Sequence, residues 1–195
     1  GPLGAYGAAK VAAEAFAYAY HQSFGLDTRV IRPSALYGFG MSWFAPNYVK
    51  NVVEPAVVGQ PVRLATGGGV PRSYVHAADL AALVAALPAG PHDADRVLYA
   101  ATGRPLATGG DVGRIVRELI PGADVEIGEG MTEGDRAELP FRGVLSIDNA
   151  RQQLGYEPRF AELRDGIADY VDRFRAFLAA GGTPTPPPAG LKAPG

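Results

Sequence analysis

Apolar residues crowd nearly every face of residues 7–24, where Ala12, Ala13, Ala15, Ala17 and Ala19 surround Phe16, Tyr18 and Tyr20. The alanine-rich run predicts a helix, and Gly25 is suited to close it as a left-handed cap. A helix apolar all round is expected to be covered on more than one side, by a sheet and by a second subunit. Residues 28–32 lack polar alternation, so they predict a parallel strand covered on both faces and ended by Pro33. Residues 34–45 then read as a loop at the strand's carboxyl edge, where open α/β sheets place ligands.

Further along, residues 46–58 predict a helix that Pro55 should kink or shorten. Residues 62–65 form a brief strand, followed by a turn at Gly67-Gly68-Gly69. Residues 77–87 predict a helix with Asp79 favourably placed in its first turn. Residues 96–100 and 125–127 read as strands, and residues 111–119 as a helix. Asp148 and Gly155 bracket a short helix as its N-cap and closing residue. In residues 163–178, Ile167, Tyr170, Val171, Phe174 and Phe177 fall at i, i+3, i+4, i+7 and i+10, a stripe expected to face a core. Residues 181–195, rich in Pro and Gly, predict a disordered tail.

Composition narrows the function. The net charge of −2 with scattered Lys and Arg leaves no basic stripe for nucleic acid. The longest apolar stretch, residues 80–87, is far too short to span a bilayer. Cysteine is absent, and His21, His76 and His92 are too scattered for metal-ligand spacing. A soluble, cytoplasmic protein is the expectation, with neither nucleic acid nor membrane as partner.

Candidate chemistry begins at Tyr6 and Lys10, four residues apart, which a helix brings to one face. A nearby ammonium would stabilise the phenolate, and such a Tyr can pass a proton to or from a sugar oxygen while a nicotinamide handles the hydride. The context is Ala5-Tyr6-Gly7-Ala8-Ala9-Lys10, then Arg32-Pro33-Ser34-Ala35-Leu36-Tyr37-Gly38. Arg72-Ser73-Tyr74-Val75-His76-Ala77-Ala78-Asp79 follows, and Ser146-Ile147-Asp148 through Leu154-Gly155-Tyr156-Glu157-Pro158 comes last. In that order these blocks resemble the extended short-chain dehydrogenase/reductases, the NAD-dependent epimerase/dehydratase family.

The resemblance implies an α/β fold over residues 1–180, the C-terminal part of a doubly wound, Rossmann-like parallel sheet with a small mixed substrate lobe. It implies NAD or NADP as cofactor and a small-molecule substrate, a nucleotide sugar. Tyr6 would be the acid/base and Lys10 its tuner and a holder of the nicotinamide ribose. Pro33 and Ser34 would line the cofactor pocket. Arg72 would contact the substrate diphosphate, a guanidinium fork being suited to phosphate oxygens, and Asn47 would be a further substrate-binding residue. Ser73 departs from the family's commoner Arg-Asp pair and weakens the assignment of substrate. Some relatives supply a second phosphate-binding Arg from residues 128–144, where Arg136 and Arg142 stand, and the sequence does not choose between them. His76 and Asp79 are expected to be structural, and Tyr37 to pack. Met41-Ser42-Trp43-Phe44 could stack on a base or anchor the lobe.

Only five residues precede Tyr6, and no Gly-rich dinucleotide turn stands at a strand-to-helix junction. The expectation is therefore a chain without most of its cofactor domain, inactive alone and binding NAD or NADP poorly. Its apolar surface should favour self-association, with a homodimer through the Tyr-bearing helix as one form. Two other readings stay open: a dehydrogenase of a small hydroxy acid or sugar acid, and a non-catalytic remnant or binding module.

Overall fold

The computed structural model of the chain describes residues 4–40, 48–91 and 96–184. It opens with α1 (Ala5–Phe24), then β1 (Val30–Pro33) and β2 (Ala35–Tyr37). Next come α2 (Tyr48–Val57), β3 (Val62–Leu64), β4 (Pro71–Arg72), β5 (Tyr74–His76) and α3 (Ala77–Ala86). The chain continues with β6 (Val97–Ala100), β7 (Ala107–Thr108), α4 (Gly109–Leu119) and β8 (Val125–Ile127), then α5 (Glu133–Glu138), α6 (Asp148–Leu154) and α7 (Leu163–Ala179). Gly25 at φ 66° and Gly155 at φ 63° close α1 and α6 in the left-handed conformation that glycine tolerates best. Pro55 is accommodated inside α2, two residues before its end. Helix α6 starts at Asp148, one position earlier than a cap there would give, and Ile147 is the boundary residue. Residues 185–195, most of the expected tail, lie outside the described residues.

Strands pair as β1–β6, β2–β5 and β3–β8 in parallel, and β4–β7 antiparallel. The architecture is Rossmann-like α/β. Part of the expected loop over residues 34–45 is instead strand β2, because the chain changes partner rather than leaving the sheet. The Ser34 N–H donates to Ala100 O at 2.9 Å, and the Ala35 N–H donates to Ser73 O at 2.9 Å. Pro33 and Ser34 thus sit at a fork between β6 and β5, at the carboxyl end of β1.

Two cores flank β5, whose alternating side chains serve one each. Tyr74 joins Val52, Val53, Val112, Val116, Ile167, Tyr170 and Phe174, buried among α2, α4 and α7. Val75 joins Leu83, Leu98, Ile147, Ala150 and Tyr156 under α3 and α6. The α7 stripe faces the core as its spacing predicts, with Phe177 half-buried at its end. Inside the first core Lys50 Nζ meets Glu54 Oε1 at 2.7 Å, and the Tyr170 hydroxyl donates to the same oxygen at 2.8 Å. The buried ion pair is therefore hydrogen-bonded on both sides, as burial of charge requires.

Helix α1 departs from expectation: no residue of it is buried. Tyr6, Val11, Phe16, Tyr18, Tyr20 and Phe24 are each at least half exposed. What ties α1 down is local: Thr28 Oγ1 donates to Ala17 O at 2.7 Å, and Arg32 Nε donates to Glu14 Oε1 at 3.0 Å. Among the described residues β1 pairs only with β6, so no sheet broad enough to cover an all-round apolar helix lies beneath it.

Candidate functional site

Tyr6 lies in the first turn of α1 and Lys10 one turn on. Lys10 Nζ stands 5.4 Å from the Tyr6 ring centroid, a cation–π pair on one exposed face. The ammonium is placed over the ring, and both groups are open to a ligand. At the β1 fork, Pro33 is exposed and Ser34 half-buried. Ser34 Oγ is buried and has no hydrogen-bond partner among the described residues, so a polar group could be satisfied there.

Arg72 occupies the end of β4, in a second group of residues. Its Nη2 donates to Asp135 Oδ1 at 3.1 Å. Arg142 Nη2 donates to that same oxygen at 3.1 Å and to Glu138 Oε2 at 2.7 Å, while its Nη1 donates to Pro71 O at 3.1 Å. Asp135 Oδ2 accepts from Thr132 Oγ1 at 2.8 Å and Thr132 N at 3.3 Å, completing a capping box on α5. Burial alone would raise the Asp135 carboxyl. The Thr132 hydrogen bonds and the two guanidiniums outweigh it and hold the carboxyl below its usual range.

Between the two arginines that the sequence leaves open, the structure separates the roles. Arg142 converges on Arg72, whereas Arg136 is exposed and donates to Met131 O at 2.7 Å. Tyr48 Oη, near the same charges, is buried without a described partner, and burial pushes its hydroxyl up to about 12. Arg72 also borders a crevice of about 340 Å³ with Tyr37, Tyr74, Thr102, Phe160 and Leu163. Asn47 and the 41–44 stretch lie outside the described residues. Asp135 is the member that sequence reasoning missed; its only local signal is Thr132-x-x-Asp135, a helix-cap pattern.

His76 and Asp79 hold the fold. His76 is buried, its Nδ1 accepts from Ala78 N at 3.3 Å, and its ring packs 4.2 Å from the Phe160 ring. Its pKa is lowered, chiefly by burial, against the pull of Asp169. Asp79 accepts the Arg159 N–H at 2.8 Å and the Phe160 N–H at 3.1 Å, pinning the segment before α7 to α3. Tyr37 is a core residue at 1% exposure.

A Rossmann-like chain with a Tyr-Lys helix and an arginine cluster between β4 and α5 defines a class, and comparison with known proteins specifies it. The model of the NAD dependent epimerase/dehydratase family matches residues 1–97. UDP-glucuronic acid decarboxylase 1 of Arabidopsis thaliana is 28% identical over 177 residues, covering 90% of this chain and 38% of that protein. UDP-glucuronic acid decarboxylase 6 of the same organism is 26% identical over 175 residues, with 89% and 48% covered. The chain thus spans half or less of the length of these curated relatives. The fold matches UDP-glucose 4-epimerase of Thermotoga maritima, solved with UDP-glucose, at TM-score 0.78 and 24% identity, covering 91% of this chain and 55% of that one. The Thermus thermophilus UDP-glucose 4-epimerase, solved with NAD, matches at TM-score 0.70 and 27% identity, with 90% and 55% covered. The chain belongs to the NAD-dependent epimerase/dehydratase family. Among the described residues no helix is long and apolar enough to cross a membrane.

Proposed function

We propose that this chain supplies the acid/base helix and the diphosphate contact of an NAD(P)-dependent enzyme that epimerises, dehydrates or otherwise reworks a nucleotide-linked sugar. The observation that carries the reading is the convergence of two guanidiniums, Arg72 and Arg142, on one carboxylate oxygen. Arg72 Nε and Nη1 have no partner among the described residues, so its fork keeps donors for phosphate oxygens. The relatives named for UDP-linked substrates point the same way.

In this reading Tyr6 exchanges a proton with a sugar hydroxyl through Oη, and Lys10 supplies the adjacent positive charge. Lys10 would also hold the nicotinamide ribose, and Pro33 and the unsatisfied Ser34 Oγ at the β1 fork would hold the cofactor's nicotinamide end. The nicotinamide, when bound, accepts and returns hydride. Helix α1, apolar and uncovered, carries the contact of a homodimer.

In the active enzyme containing this chain, Tyr6→Phe is expected to cut turnover by at least about 10²-fold with little change in cofactor affinity. Near-normal turnover would remove Tyr6 from the chemistry. Arg72→Lys keeps the charge and loses the fork, so calorimetry should find UDP binding weaker by about 1–3 kcal/mol. Unchanged binding would favour a small hydroxy-acid or sugar-acid substrate instead.

A further inference from the structure

Asp135 stands outside the residues that the proposed reaction requires, yet it touches both arginines at once. We propose that Asp135 is a positioning residue: its carboxylate holds the Arg72 and Arg142 guanidiniums at one point, so that a ligand with two linked phosphates meets both. The proposal rests on the reading of Arg72 as a phosphate contact.

Two guanidiniums repel, so holding them together calls for a shared counter-charge. Each has its Nη2 at 3.1 Å from the single oxygen Oδ1 of Asp135, which bridges them. The bridge cannot swing freely, because the carboxylate's other oxygen is fixed by the Thr132 hydroxyl and N–H at the start of α5. Arg142 adds a second tie through Nη1 to the carbonyl of Pro71, the residue before Arg72. Strand β4 and helix α5, distant in sequence, are thereby cross-braced at the site. Asp135 and Glu138, the latter 2.7 Å from Arg142 Nη2, offset the two positive charges, so what the cluster offers a ligand is oriented N–H donors rather than a net charge. Arg72 also keeps its Nε and Nη1 donors. A single phosphate can be served by Arg72 alone; the second phosphate gains only if Arg142 is held beside it.

Calorimetric titration of the chain with UDP and with UMP tests this. The unaltered chain is expected to prefer UDP. Asp135→Asn removes the charge and keeps the side chain's shape, so UDP affinity should fall by about tenfold. UMP affinity should change by less than about threefold, shrinking the UDP/UMP ratio. Thr132→Ala, which frees the carboxylate without removing it, should shift the ratio in the same direction by less. It also serves as the test if Asp135→Asn does not fold. On an Arg142→Ala background the Asp135→Asn change should cost less UDP affinity than it does alone, since part of its effect acts through that arginine. An equal loss for UDP and UMP would mean that Asp135 serves only the fold, and tighter UDP binding would make it a competing counter-ion. Either result overturns the positioning role while Arg72→Lys still weakens UDP. If Arg72→Lys leaves UDP binding unchanged, the diphosphate reading itself fails and takes this proposal with it.

Discussion

Helices α1 and α7 are both long and rich in aromatic and aliphatic side chains, yet they meet opposite fates. Helix α7 places Ile167, Tyr170, Val171 and Phe174 against α2 and α4, each at 2% exposure or less. Helix α1 buries none of its residues. The difference lies in how the apolar residues are spread. The α7 stripe is one-sided, so one layer of neighbours satisfies it. On α1 the apolar residues run around the cylinder, and the described residues beside it, among them Thr28, Val30 and Val97, meet one edge. Apolar content says what a helix can bury; topology decides what it does bury.

That contrast breaks if burial does not govern stability. Phe174→Ala should destabilise the chain by about 3–5 kcal/mol, since it deletes a ring from a filled core. Phe24→Ala, at the exposed end of α1, should fall within about 0.5 kcal/mol of the unaltered chain. Urea denaturation of both variants measures the gap. Similar losses would mean that α1 is covered in solution, for instance by a second copy, and sedimentation would then show the larger species.

Gly166, on the buried side of α7, sharpens the same comparison. A Cβ there would overlap the hydroxyl and ring of Tyr37, itself a buried core residue. Gly166→Ala should therefore cost about 1–3 kcal/mol by overpacking, although alanine is the better helix former. Ala13→Gly on the open α1 should instead lose only about 1 kcal/mol, the propensity difference. A stabilised Gly166→Ala would show that the α7 contact with Tyr37 is loose.

How far the sequence is legible follows the same division. The caps Gly25 and Gly155 and the α7 stripe are local signals, and each lies where spacing predicts it. The α/β class and the family came from motif order, which the fold and the family match bear out. Strand β2 was illegible because three residues after Pro33 are too few to carry a period, and its existence depends on a change of strand partner at Ser34. The Arg72–Asp135–Arg142 cluster was illegible for another reason. Asp135 satisfies a local cap pattern completely, so nothing in the sequence says that its second oxygen is used elsewhere. Whether Arg136 or Arg142 joins Arg72 depends on how the segment after α5 folds back to Pro71.

The smallest expected effect separates the two regions by the kind of charge interaction each uses. At the start of α4, Asp111 accepts Thr108 N and Thr108 Oγ1, each at 2.9 Å, and these bonds hold its carboxyl below the usual range, the backbone bond foremost. On α1, Glu14 is lowered mainly by its hydrogen bonds to Arg32. Both carboxyls are depressed on folding, so each contributes stability that is fully present above the unfolded value, about 4. That contribution is lost as pH falls through the lower folded value. Asp111→Asn and Glu14→Gln should therefore each lower the urea midpoint at pH 7, with the difference shrinking as pH falls below about 4. Salt should then distinguish them. The Glu14–Arg32 pair is exposed and between full charges, so about 0.5 M sodium chloride should erase most of its effect. The Asp111 cap is bonded to a backbone dipole at contact distance and should keep most of its own. Equal salt sensitivity would mean that Asp111 acts through its ion pair with Arg114, 3.3 Å away, rather than through the cap.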